Sequence, residues 1–129
     1  MNKQLPADPV EDRLAARCKR LGLGLLFAAA LGLRGAAIFV LDSYHTAFTY
    51  EHGEIAENLL AGRGFTVKFL GGEGPTSQQA PGYPFLLAAA YAVLGTGPAA
   101  LLAVQLLQAV AGALIVLLTV QLAWTLLPK

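Results

Sequence analysis

The sequence predicts an all-α integral membrane protein with two transmembrane helices joined by an outer loop that carries juxtamembrane helices. Three observations lead there. Of 129 residues, 56% are hydrophobic and only 13% are charged, about half the charged share of a soluble domain. Polar surface is too scarce to cover a water-soluble globule of this size. The charges are also segregated, leaving two apolar stretches of membrane-spanning length. The net charge of +1 offers no electrostatic case for nucleic acid. The single Cys18 excludes an intrachain disulfide framework and a cysteine-based zinc site.

Residues 1–20 form a tail holding Lys3, Arg13, Arg17, Lys19 and Arg20, five of the nine basic residues. Pro6 and Pro9 are expected to break any early helix. Residues 21–41 make the first span, about 31 Å long as a helix, and Arg34 is its only charge. A signal peptide is the competing reading. The length of the run and the lack of a small-residue cleavage site before Asp42 favour an uncleaved span. The positive-inside rule then puts the tail in the cytoplasm and the following loop outside.

Arg34 stands roughly two turns from the outer end of that span. Its stem can snorkel to the interface. Alternatively it faces a bundle interior near an anionic group such as a phosphate, with Gly32 and Gly35 allowing a helix to approach closely.

Residues 42–81 form the outer loop. Within it, residues 50–61 read as an amphipathic helix. Glu51, Glu54 and Asn58 share one face, Ile55 and Leu59 lie on the adjacent apolar face, and Gly62 follows as a terminator. Two carboxylates one turn apart can bind a cation, share a proton or act as a base; a solvated helix face is the ordinary alternative. His45 and His52 make only a weak metal pair, so neither a metal nor a cofactor is expected. The glycines around Gly71 and Gly72 read as a turn-rich connector that follows no strand. Thr76, Ser77, Gln78 and Gln79 can line a polar pocket above the membrane or form an ordinary loop.

Residues 82–95 are short for a span and read as a juxtamembrane or partly inserted helix, entered sharply at Pro81-Gly82-Tyr83-Pro84; the alternative is a third true span, which would put the C-terminus outside. After Gly95-Thr96-Gly97-Pro98, residues 99–127 form the second span, about 43 Å of helix. Trp124 and Lys129 suit a cytoplasmic exit. Ala109 and Ala113 offer a small-residue packing face, and Gln105 and Gln108 can hydrogen-bond a neighbouring helix.

The run from Tyr50 through Glu51, Glu54, Asn58 and Gly62 to Arg63-Gly64-Phe65 resembles the first outer loop of bacterial polyprenyl-phosphate-sugar glycosyltransferases of the glycosyltransferase family 39 type. Gly74-Pro75-Thr76-Ser77 and Ala80-Pro81-Gly82-Tyr83-Pro84-Phe85 resemble the segment before that family's second span, in the same order and spacing. The resemblance covers about residues 20–127. It implies the N-terminal fragment of a GT-C fold in the bacterial inner membrane, with further membrane helices completing the structure.

The implied reaction moves a sugar from a polyprenyl-phosphate donor to an acceptor at the outer membrane face, with a loop carboxylate as general base. Many relatives carry an acid before the loop helix, where this chain has Ala47-Phe48-Thr49. The candidates for the base are therefore Glu51 and Asp42. Arg34, Glu54, Asn58 and Arg63 are the expected substrate-binding residues. The implied partners are the lipid-linked donor, the bilayer and other membrane helices. The short chain by itself is expected to be inactive, and the alternative is a small non-enzymatic membrane protein that packs on a partner.

Overall fold

The structure, a computed structural model, describes residues 9–45, 49–69 and 71–127. Its elements are α1 (Pro9–Val40), α2 (Tyr50–Leu60), β1 (Thr66–Phe69), β2 (Gly72–Pro75), α3 (Gly82–Leu94) and α4 (Pro98–Leu126). Two of the helices are long and apolar enough to cross a membrane, over Ala16–Val40 and Pro98–Leu126. The expected arrangement of two long apolar helices with a loop between them is therefore present. Two expectations need correction. The fold is mostly helical but not all-α, because the loop contains a hairpin. And Pro9 begins a helix instead of breaking one.

The second correction follows from where Pro9 stands. At the first helical position proline has no amide hydrogen to lose, and its fixed φ already suits the helix. Residues 9–20 are thus the first turns of α1 and run without a break into the apolar segment. The other expected tail residues, together with Lys129, lie outside the described residues.

The chain divides into two compact units, residues 34–109 and the paired segments 1–33 and 110–129. In the unit of residues 34–109, α2 packs on α3. Their core joins Ala56 from α2, Leu87, Ala88 and Tyr91 from α3, and Ala100 and Val104 from the first turns of α4. Leu59 packs against this cluster, and Ile55 is fully buried. The apolar face expected of α2 is therefore satisfied by neighbouring helices of its own unit.

Helix α2 ends as its sequence predicts. Gly62 has φ 73°. Its amide donates to the Leu59 carbonyl at 3.1 Å, and the Arg63 amide donates to the Asn58 carbonyl at 2.9 Å. This pair of bonds is the Schellman arrangement, which needs a residue free to adopt the left-handed conformation.

The chain then enters β1, which pairs antiparallel with β2 in the register Thr66 with Pro75, Val67 with Gly74, Lys68 with Glu73 and Phe69 with Gly72. The glycine-rich connector does follow a strand. It leads into a second strand and not a helix, so no phosphate-cradling helix start is formed. Gly71, at φ 85°, makes the reversal possible.

In the other unit the described side chains are mostly exposed. Leu21, Leu25, Ile115 and Leu118 all point outward. Thr119 and Thr125 return their hydroxyl hydrogens to the carbonyls of Ile115 at 2.8 Å and Leu122 at 2.7 Å. That satisfies both hydroxyls within the helix and lets them sit on an apolar surface. The Lys19 Nζ stands 4.1 Å from the centroid of the Trp124 ring, a cation–π contact.

Candidate functional site

The start of α2 is held by a close contact. Thr49 precedes the helix, and its carbonyl accepts the Gly53 amide at 3.3 Å. A Cβ at position 53 would overlap the Thr49 side chain, which accounts for glycine within a helix where it ordinarily costs about 1 kcal/mol. Thr49 also hydrogen-bonds the Tyr91 side chain of α3. Burial pushes the Tyr91 phenol above its usual value of 10.0. The Thr49 hydrogen bond opposes that shift, and Glu57 and Tyr83 add to it.

The polar face of α2 contains the three residues expected there, in different states. Glu51 is exposed, and its Oε2 accepts a hydrogen bond from Gln79 Nε2 at 2.5 Å. Glu54 Oε1 accepts the backbone amide of Lys68 at 2.9 Å, so this carboxylate fastens β1 to the helix. Asn58 is only 3% exposed. Its Nδ2 donates to the Thr66 carbonyl at 2.9 Å and to Thr66 Oγ1 at 3.0 Å. Its Oδ1 accepts from Arg63 Nε at 3.0 Å and from Arg63 Nη2 at 2.5 Å. Arg63 Nε in turn lies 3.3 Å from Glu73 Oε1.

Glu54, Asn58 and Arg63 are thus brought together with Thr66 and Glu73 into a network that clamps the hairpin onto the end of α2. Each bond to a charged partner here is worth about 1.5–3 kcal/mol at most, and less where water competes. The arrangement separates Glu51 from its neighbours by role. Glu54 and Asn58 are committed to protein groups, whereas Glu51, one turn earlier, meets one flexible amide among the described residues.

Sequence reasoning placed no role on Thr66 or Glu73. The alternation of β-branched and aromatic residues in Thr66-Val67-Lys68-Phe69 was the available cue for a strand. Beside the hairpin, Thr76 and Gln78 line an open pocket of about 280 Å³ with Val67, Gly72, Glu73, Gly74 and Pro75. Two of the four residues expected in a polar pocket are therefore in one.

Arg34 and Asp42 belong to a second cluster, at the turn after α1. Arg34 lines an open groove of about 320 Å³ with Ala37, Ile38, Ser43, Gln105, Gln108 and Ala109. Ser43 Oγ donates to Gln105 Oε1 at 2.9 Å, and Gln105 Nε2 donates to the Ser43 carbonyl at 3.2 Å. This reciprocal pair fastens the turn to α4, and Arg34 and Gln108 line the same, mostly apolar, groove. Asp42 has φ 50°, a conformation that aspartate tolerates better than most residues. Its Oδ1 lies 2.6 Å from His45 Nδ1.

The two histidines expected as a weak pair lie on separate elements. His45 ends the turn after α1 and His52 is in α2. His52 packs edge-on against the Tyr83 ring at 5.1 Å between centroids. Among the described residues, no group of three or more His, Cys, Asp or Glu side chains is placed to hold a metal ion. Ala47 and Phe48 lie outside the described residues.

No protein-family model, no characterised protein and no solved structure matches this chain.

Proposed function

We propose that the chain spans the bacterial inner membrane twice, with its basic end in the cytoplasm and α2, the hairpin and α3 outside. On this reading the loop is the catalytic part of a GT-C-type glycosyltransferase that takes a sugar from a polyprenyl-phosphate donor, and Glu51 is the general base. Further membrane helices, from the same polypeptide or from partners, complete the donor cavity.

The observation that carries the reading is the exposure of Glu51 on a helix whose other polar-face residues are engaged by the hairpin. Inverting transfer needs a carboxylate that can reach the acceptor hydroxyl as the phosphate leaves. Glu54 is engaged by a backbone amide and Asp42 by an imidazole. Among the described residues, Glu51 is hydrogen-bonded by the Gln79 side chain, which can swing aside for an acceptor. Arg34, in its groove with Gln105 and Gln108, supplies a cation whose long stem can reach up toward a lipid phosphate at the outer interface, where a guanidinium stabilises the departing charge. Glu54, Asn58 and Arg63 serve the site by holding its scaffold.

The test measures sugar transfer from a polyprenyl-phosphate donor in membranes containing the protein and its completing helices. Glu51→Gln lowers turnover by about 10²–10⁴-fold while sparing donor binding. Loss of transfer with Asp42→Asn, with Glu51→Gln near wild type, would assign the base to the turn after α1. The exposed apolar faces of the long helices favour a second reading, a non-enzymatic module that packs on partner helices. That reading takes over if neither substitution matters and the protein is recovered bound to another membrane protein.

A further inference from the structure

The basic end of α1 carries an arrangement that the loop chemistry does not use. Arg13, Arg17 and Arg20 follow one another at i, i+4 and i+7 along one helix face. Leu21, Gly24 and Leu25 continue that face into the apolar segment. Arg17, Arg20, Leu21, Gly24 and Leu25 line a surface groove of about 490 Å³. Its lining is almost entirely apolar, with the stems of Arg17 and Arg20 at one end, which put a positive charge at its rim, and aliphatic side chains with bare backbone at the other. Gly24 forms the floor, with no atom within 4 Å of where a Cβ would stand.

Lys19 points to the opposite face, over the Trp124 ring. A tryptophan paired with a lysine marks the level of a membrane interface. From Arg17 to Leu25 the helix rises about 12 Å, the distance from a lipid headgroup into the upper acyl chains.

We propose that this groove binds one anionic glycerophospholipid of the cytoplasmic leaflet. Its phosphate sits between Arg17 and Arg20, and one acyl chain lies along Leu21, Gly24 and Leu25. The proposal rests on the two-span reading for its placement in a leaflet. The charge pattern selects this occupant. Paired guanidinium groups match a phosphate diester in geometry and charge, and the apolar floor below them matches a chain attached to that phosphate. A bare anion would use only the upper half of the groove.

The chain contains a built-in reporter, since Cys18 is its only cysteine and is exposed beside Arg17. The full chain, labelled there with a small fluorophore, is reconstituted in phosphatidylcholine vesicles. Quenching by brominated phosphatidylglycerol is then compared with quenching by brominated phosphatidylcholine. The anionic lipid is expected to quench at the lower mole fraction. Arg17→Gln and Arg20→Gln each reduce that preference about fivefold, the contribution of one basic residue near an anionic surface. Gly24→Leu abolishes the preference by filling the floor without a clash, and Lys19→Gln spares it. Inorganic phosphate at millimolar concentration leaves it unchanged.

Several results would overturn the site. An equal response to Lys19→Gln, or indifference to Gly24→Leu, would mean diffuse attraction. Competition by inorganic phosphate would mean a plain anion site. Equal quenching by both lipids would remove the site while leaving the two-span reading intact, and no quenching by either lipid would overturn both.

Discussion

Leu87 in α3 is fully buried, whereas Leu118 in α4 is 62% exposed, although both are leucines in apolar helices. The difference lies in what surrounds them. Around Leu87 the chain supplies Ala56, Ala88, Tyr91, Ala100 and Val104, and the neighbouring hairpin is fastened by the bonds of Glu54, Asn58 and Arg63. Along Ala16–Val40 none of the apolar window is buried, and along Pro98–Leu126 only 17% is. The loop module holds its shape by tertiary packing. The long helices hold theirs by backbone hydrogen bonds closed within each segment, which is the condition for a helix surrounded by hydrocarbon.

That contrast breaks most readily at the core. Leu87→Ala is expected to destabilise the loop module by about 2–5 kcal/mol. In detergent-solubilised protein this appears as faster tryptic cleavage at Arg63 and Lys68, because cleavage follows local opening. Leu118→Ala should alter that rate by no more than about 0.5 kcal/mol allows. Similar sensitivity at the two leucines would mean that the module and the long helix share one cooperative unit.

A smaller effect tests the clamp. Asn58→Ala removes the bonds to the half-buried Thr66 and to the exposed Arg63, at a cost of about 1 kcal/mol. Hydrogen exchange should then speed up at the Lys68 amide and the β1–β2 pairs while the amides of α4 stay as slow as before. Uniform acceleration in both regions would contradict a local clamp.

The smallest effect sharpens the comparison by pH. Burial raises the Tyr91 phenol above 10.0, so the folded module prefers the neutral form. The resulting stability is fully present below pH 10.0, the unfolded value, and is lost as pH rises through the higher folded value. Trypsin resistance of the module should therefore fall at alkaline pH above that point. Tyr91→Phe is expected to weaken the module by about 1 kcal/mol at neutral pH through loss of the Thr49 bond. It should also remove the Tyr91-dependent part of the alkaline loss.

Much of this was legible along the chain, for reasons that are local. The long apolar stretches follow from composition and length. The limits of α2 follow from its amphipathic spacing and from Gly62, and the break before α4 follows from Gly95 and Pro98. Each is a property of residues within a few positions of one another. The paired strands were not legible. Thr66-Val67-Lys68-Phe69 is only four residues long, and its partner, Gly72-Glu73-Gly74-Pro75, is dominated by residues that disfavour strands. What holds this hairpin is the carboxylate of Glu54 and the amide of Asn58, from a helix that precedes it in the chain.

The states of the candidate site residues were likewise decided in three dimensions. Helical spacing alone put Glu51, Glu54 and Asn58 on one face. It could not tell that Lys68 would bring its amide to Glu54, that Thr66 and Arg63 would saturate Asn58, or that Gln79 would reach Glu51. Pairing across 28 residues of sequence depends on how the hairpin and α3 fold back on α2. The sequence by itself therefore determined the helices and their polarity. Only the tertiary structure decided which polar groups are spent on holding the loop together and that Glu51 stays exposed on the same face.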